Sequence, residues 1–438
     1  MTYWCEHAWL GSDTAAGVRV EVRDGRIRSV EAGVDPAPDD ERLAGVVLPG
    51  LADAHAHAFH RALRGRTHAQ GGDFWSWRQQ MYALAATLDP DTCLALARAT
   101  YAELALSGVT CVAEFSYLHH APGGRRYDEP NVMGHALEQA AREAGIRLTL
   151  LDTCYLAGGL APHGYLPADA VQQRFSDGSA SAWAERVSEL EDTDSVHHGA
   201  AIHSVRAVPA DQLGEVVAVA KGRPLHVHLS EQPAENAACL AFHGCTPTML
   251  LAEHGVLGPN TTAVHASHVD ADDIALLGRT ATAICACPST EADLADGIGP
   301  FRRLTRAGSP LCLGSDQQVH SDLMAEARAV ESYERLSSGE RGRFTPAELT
   351  AALTRHDLLG WPDAGAIAVG MRADLVAVRR DTPRTAGCHP DQIVTAAGAG
   401  DVHTLVVDGR VVVREGRHVL GDVGELLTAA IEPLWAQA

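Results

Sequence analysis

The sequence predicts an α/β protein: a (β/α)8 barrel carrying a small β-sandwich assembled from both chain ends. Three observations point there. The middle of the chain repeats one unit, a helical stretch, a glycine stop and a β-rich run, and eight such runs fit between residues 46 and 315. Strand alternating with helix means a parallel sheet, and eight repeats over about 300 residues is the scale of a closed barrel. Both ends have β texture instead, with hairpin signals at Asp24-Gly25 and Asp408-Gly409. The 438 residues suit one barrel with a satellite. No GxGxxG turn follows the first run, which argues against a doubly wound sheet.

The elements follow in order. Val18 to Val22 and Ile27 to Val30 read as short strands. Val46 to Leu48 leads into Asp53-Ala54-His55 as the first barrel run. A helix starts at Asp89-Pro90, with Asp as N-cap and Pro in the first turn, and stops at Gly108 before Val109 to Phe115. A helix through Ala136 to Ala144 stops at Gly145 before Ile146 to Cys154. Ala200 to His203, Leu225 to Leu229, Thr262 to His265, Ala281 to Ala286 and Leu311 to Leu313 continue the series. The tail returns to strands at Asp374 to Val378, Leu405 to Val407 and Arg410 to Val413. The expected division is therefore 1–48 plus 367–438 for the composite β-sandwich and 49–366 for the barrel.

Composition narrows the function. The chain has 35 basic against 56 acidic residues, a net charge of −21, and no run of Lys or Arg. Binding to nucleic acid or to an anionic membrane surface is not expected. No stretch is long and apolar enough for a transmembrane helix, and the start MTYWCEHAWL lacks a signal-peptide pattern. A cytoplasmic protein is expected. The ten cysteines form no CxxC pair and read as reduced thiols, Cys285 and Cys287 inside a buried strand.

Barrels of this class carry their functional groups at the C-terminal ends of the strands. There stand His55-Ala56-His57, His226-Val227-His228, His265 and, in Leu-Gly-Ser-Asp, Asp316. Residues two apart in a strand face the same way, so both imidazoles of an HxH can reach one ion. Any one of these histidines alone could be a satisfied core residue. Polar groups at four strand mouths fit a divalent cation held by nitrogen and carboxylate, with zinc the natural choice.

This order of motifs resembles the amidohydrolase superfamily, over nearly the whole chain. Some members bridge two ions through a carboxylated lysine on the fourth strand. Lys221, the only lysine, lies at a helix end before the fifth run, so one zinc ion per chain is expected. The HxxE of His228-Leu229-Ser230-Glu231 resembles the deaminating members. HAFHRALRG, FWSWRQQMY, AEFSYLHH, HSVRAV, HLSEQ, VHASH and STEADLADG resemble the formimidoylglutamate deiminase family within them. That family hydrolyses N-formimidoyl-L-glutamate to N-formyl-L-glutamate and ammonia in histidine degradation.

The resemblance implies His55, His57, His228 and Asp316 as metal ligands and Glu231 as a proton shuttle. His265 and Asp316 would serve the hydrolytic water. His60, Arg78, Tyr117, His203 and Arg206 would bind the substrate, and a homodimer is expected. Guanidinium groups hold carboxylates in two-pronged fashion, which suits a substrate with two of them. Packing offers a plainer role for three of these: Arg78 stacked on Trp75 or Trp77, Tyr117 in the barrel rim, Arg206 on a surface acid. The chain departs from the family at His60, where glutamine is usual, and at Gln317 and Gln318, where Ser-His is usual. The loop from Arg66 to Phe74 is short. The alternatives are a related deaminase acting on another imine, amidine or heterocyclic base, and a barrel that has lost catalysis and serves as a scaffold.

Overall fold

The computed structural model describes residues 1–68 and 72–436, so part of the Arg66-to-Phe74 loop lies outside the described residues. Eight parallel strands form the barrel: Leu51–Ala56, Val109–Ser116, Arg147–Cys154, Val196–Ile202, Leu225–Leu229, Thr261–His265, Ala283–Ala286 and Leu311–Leu313. Each pairs with the next in that order. Helices cover the outside, so strands are buried on both faces and read as apolar runs; all eight residues of Val109–Ser116 are buried.

The last strand returns to the first through Asp316. Its backbone N–H donates to the His55 carbonyl at 2.9 Å, and the His57 N–H donates to the Asp316 carbonyl at 3.0 Å. Only glycine fits just below this seam. A Cβ on Gly314 would lie 2.7 Å from the His55 carbonyl oxygen and 2.9 Å from the His55 Cβ.

The terminal strands form one mixed sheet in the order Arg417–His418, Arg410–Arg414, Val402–Val407, Leu375–Val378, Glu41–Pro49, Thr2–Trp9, Thr14–Arg23, Arg26–Glu31. The two chain ends meet where Glu41–Pro49 pairs with Leu375–Val378. Alternation along these strands sorts their side chains by face. Val46, Leu48, Val376 and Val378 join the barrel core. Val47, Leu375 and Ala377 join Tyr3, Cys5, Val18 and Val20 in a second, smaller core.

One expectation is corrected here. Val46 to Leu48 does not lead the first barrel strand but belongs to the centre of the terminal sheet. The apolar run conceals the switch of sheets, which occurs at Pro49-Gly50. Gly50 is required there, because a Cβ would meet the Thr110 side chain at 2.4 Å. Thr2–Trp9 and the helix Val423–Ala436 are further elements the sequence reading did not pick out. That helix packs on the barrel helix Pro90–Leu106, and Trp435 Nε1 donates to the Ala62 carbonyl at 3.0 Å. Among the described residues no helix is long and apolar enough to cross a membrane.

Sheet and barrel are pinned by a buried ion pair. Arg147, 1% exposed at the start of the third barrel strand, binds the Asp374 carboxylate through both terminal nitrogens. Its Nη1 also lies 3.1 Å from Asp408 Oδ2. Removing one member of such a pair strands the other's charge away from water. Arg147→Ala is expected to cost about 3–5 kcal/mol in urea unfolding; a loss under about 1 kcal/mol would show that the pair does not hold the two parts together.

Candidate active site

The strand mouths bring His55, His57, His228 and Asp316 to one point beside the seam. His57 Nδ1 faces the Phe115 carbonyl at 2.9 Å, and His228 Nδ1 faces the His203 carbonyl at 2.9 Å. A carbonyl only accepts, so each ring carries its proton on Nδ1 and turns a bare Nε2 inward. His228 Nε2 lies 3.1 Å from His55 Nε2, and Asp316 Oδ1 lies 3.4 Å from Nε2 of both His55 and His57. Electron pairs converging at this range fit a divalent cation. Burial, followed by the neighbouring imidazoles, holds the His57 and His228 pKa values well below the ordinary range, which keeps both neutral and able to ligate. Burial alone would raise the Asp316 pKa, but the His55 hydrogen bond and the surrounding imidazoles of His55, His265 and His57 hold it far below the ordinary range. His226 lies one pleat deeper in the fifth strand; it is fully buried, and neither ring nitrogen has a partner among the described residues.

Glu231 and His265 stand beside this cluster. Glu231 Oε1 is 3.7 Å from His265 Nε2, which is 3.8 Å from Asp316 Oδ2. Burial would lower the His265 pKa, but Glu231, a hydrogen bond donated to Glu291 and the Asp316 charge push it up to about 10. Three residues here sit in the left-handed region without being glycine: Ser230 at φ +48°, His265 at +70° and Asp316 at +45°. Such strain persists only where the surroundings enforce it, and it clusters at functional sites.

A cleft opens over the cluster, with His57, His228, Glu231 and Asp316 on its floor. His60, Arg78, Tyr117, His203 and Arg206 all line it. His60 Nε2 is 2.9 Å from the Tyr117 hydroxyl, and burial pushes the His60 pKa down to about 3, so the ring stays neutral. The His203 ring packs against His228 at 5.2 Å and Tyr155 at 4.4 Å. Arg78 stacks on Trp75 and Tyr82, 4.7 and 5.4 Å from their ring centres.

Arg206 is partly engaged by two acids. Its Nη2 donates to Glu231 Oε2 at 3.1 Å, and its Nε lies 2.9 Å from Glu235 Oε2. Both Nη1 protons and the second Nη2 proton have no partner among the described residues and remain for a ligand. Gln317 and Gln318 lie off the cleft lining: Gln317 donates to Asp293 at 2.9 Å, and Gln318 donates to the Ser315 hydroxyl at 2.6 Å.

Two acids went unassigned in the sequence reading. Glu291 lies 3.4 Å from His265 Nδ1 and accepts the Cys287 N–H at 2.9 Å, which fixes the imidazole from behind. Glu235 accepts the Ser230 N–H at 3.0 Å and holds Arg206. The only signal for either was an acid five or six residues after a strand end.

Comparison with known proteins places this geometry. A family model described as "Amidohydrolase family" matches residues 46–412. A formimidoylglutamate deiminase of Pseudomonas aeruginosa is 35% identical over 95% of each chain. An 8-oxoguanine deaminase of the same organism is 31% identical over 86% of this chain and 85% of its own. The crystal structure of an amidohydrolase from Brucella melitensis superposes with a TM-score of 0.91 at 30% identity, covering 99% of both chains.

If the histidine cluster is the ion site, His228→Ala should retain less than a tenth of the divalent cation held by the unaltered protein after equilibrium dialysis. Glu231→Gln, beside the cluster, should retain all of it. Equal retention by both variants would contradict this geometry.

Proposed function

Since the chain belongs to the amidohydrolase family, we propose that it is a zinc-dependent deaminase. Its substrate would be N-formimidoyl-L-glutamate, converted with water to N-formyl-L-glutamate and ammonia, a step of histidine degradation. One observation carries the choice of substrate: two guanidinium groups, Arg78 and Arg206, line the same cleft as the hydrolytic cluster. Guanidinium groups are the protein's natural partners for carboxylates, and this substrate has two. The 35% identical relative supports the same reading.

Three imidazoles and one carboxylate suit zinc. Lys221 is exposed, away from the cluster, which favours a single ion per chain. A zinc ion in the cluster would supply an acidified water and a positive charge beside the formimidoyl group. The protein's own groups do the rest. Asp316 takes the proton of the attacking water, and His265, which its acidic neighbours keep protonated, orients the oxygen toward the formimidoyl carbon. Glu231 delivers a proton to the terminal nitrogen, the carbon–nitrogen bond breaks, and ammonia leaves. Glu291 keeps His265 turned toward the water. Arg206 and Arg78 hold the carboxylates so that attack is aligned. Because Arg206 also bonds Glu231, substrate binding and the proton shuttle are coupled.

A second reading has support of its own. Aromatic rings of Phe74, Trp77, Tyr155 and Phe175 also line the cleft, and one relative is named for a purine substrate. Stacking of a heterocyclic base would use these walls.

Ammonia release from zinc-loaded protein separates the readings. N-formimidoyl-L-glutamate is expected to outpace its aspartate analogue, guanine, 8-oxoguanine and adenosine; release only from a base would favour the second reading, and release from none would favour a scaffold. Glu231→Gln should keep its zinc and lose at least about 10³-fold in kcat. Arg206→Ala should raise KM and lower kcat together, because it removes a carboxylate donor and frees the shuttle. An unchanged kcat would show that the 3.1 Å contact has no catalytic consequence.

A further inference from the structure

The far end of the cleft holds two tyrosines that the proposed reaction does not use. Tyr82 and Tyr155 both line it, and their hydroxyl oxygens lie 3.3 Å apart. Gln172, 3% exposed, stands behind them. Its Oε1 accepts the Asp169 N–H at 2.9 Å, which fixes which way the amide points. Its Nε2 therefore faces the hydroxyls, 2.8 Å from Tyr155 and 3.0 Å from Tyr82, with the Gly158 carbonyl also at 3.0 Å.

Counting protons shows what this pair offers. A primary amide has two protons to give and a hydroxyl has one. Where the amide donates to the hydroxyl oxygens, each tyrosine must send its own proton elsewhere. One hydroxyl can donate to the other. The remaining proton finds no acceptor among the described groups and is left to the cleft. Nearby, Arg78 lies over the Tyr82 ring, and Nη1 of Arg206 is the prong that Glu231 and Glu235 leave free. This end of the cleft thus gathers hydrogen-bond donors without a matching acceptor. A carboxylate, which only accepts, fits that imbalance; a neutral heterocycle with donors of its own does not.

Position adds a length requirement. Tyr155 packs on His203, which packs on the candidate ligand His228, so the tyrosine lies one ring beyond the ion site. Phe175 braces both tyrosine rings, 5.3 Å from Tyr155 and 5.9 Å from Tyr82. A carboxylate seated there is held at a set distance from the hydrolytic cluster.

We propose that the Tyr82–Tyr155 hydroxyl pair seats the distal carboxylate of a dicarboxylate substrate and fixes the chain length accepted, with Gln172 as the positioning residue. This rests on the dicarboxylate reading above.

Unreactive diacids test the seat apart from turnover. Zinc-loaded full-length protein would be titrated calorimetrically with glutarate and succinate, which have five and four carbons. The unaltered protein is expected to bind glutarate at least about tenfold more tightly than succinate. Loss of charge-assisted hydrogen bonds costs about 10- to 100-fold in affinity. Tyr82→Phe with Tyr155→Phe should weaken glutarate by that factor and succinate by under about threefold, with zinc content and Tm unchanged. Gln172→Leu, which leaves both rings in place, should erase the glutarate-to-succinate ratio, an effect that mere structural support would not produce. Unchanged glutarate affinity in the double tyrosine variant would overturn the proposal. If that protein also released ammonia from N-formimidoyl-L-glutamate as before, the seat would be wrong and the substrate right. If the unaltered protein neither bound glutarate nor acted on the glutamate compound, both would fall.

Discussion

The closing seam of the barrel is the constraint on which the rest depends. An eight-stranded parallel sheet must join its last strand to its first, and this chain does so through two backbone hydrogen bonds of Asp316, to His55 and from His57. The bonds that close the fold thereby set the Asp316 carboxylate beside both imidazoles, 3.4 Å from each Nε2. Gly314 allows the approach, and the left-handed φ of Asp316 turns the chain at the right point. Ligand geometry is thus inherited from barrel closure and does not depend on a flexible loop. The second layer works likewise: carbonyls of Phe115 and His203, from neighbouring strand ends, fix the tautomers of His57 and His228.

Around this fixed centre the cleft is divided by charge. Acids crowd the floor, where Glu231, Glu291 and Asp316 surround His265 and raise its pKa. Arginines and tyrosine hydroxyls gather above. Arg206 joins the two regions, since the side chain proposed to hold a substrate carboxylate is bonded to the proposed proton shuttle. An overall charge of −21 therefore says little about the substrate. Local placement of a few guanidinium groups is enough to favour an anion.

Much of this was legible in the sequence because it is periodic or compositional. Helix, glycine and apolar run repeated at barrel spacing, and the strand-end rule then directed attention to His55, His57, His228, His265 and Asp316. The structure brings those five together with Glu231. What stayed hidden has physical causes. The passage from terminal sheet to barrel at Gly50 lies within one apolar run, where hydrophobicity cannot mark a change of sheet. Thr2–Trp9 and the helix Val423–Ala436 were missed because long-range packing decides both. Glu291 and Glu235 look like ordinary helix acids until the fold turns them inward. The pairing of Arg206 with two carboxylates is invisible to spacing, so the arginine looked freer than it is. Gln317 and Gln318 sit next to Asp316 in sequence but turn away from the cleft.

Anomalous diffraction at the zinc edge, from crystals of zinc-loaded protein, tests the central claim most directly. The account predicts one peak, within about 2.0–2.2 Å of Nε2 of His55, His57 and His228 and of an Asp316 carboxylate oxygen. Two peaks, or one peak away from the seam, would contradict the view that barrel closure builds a single-ion centre.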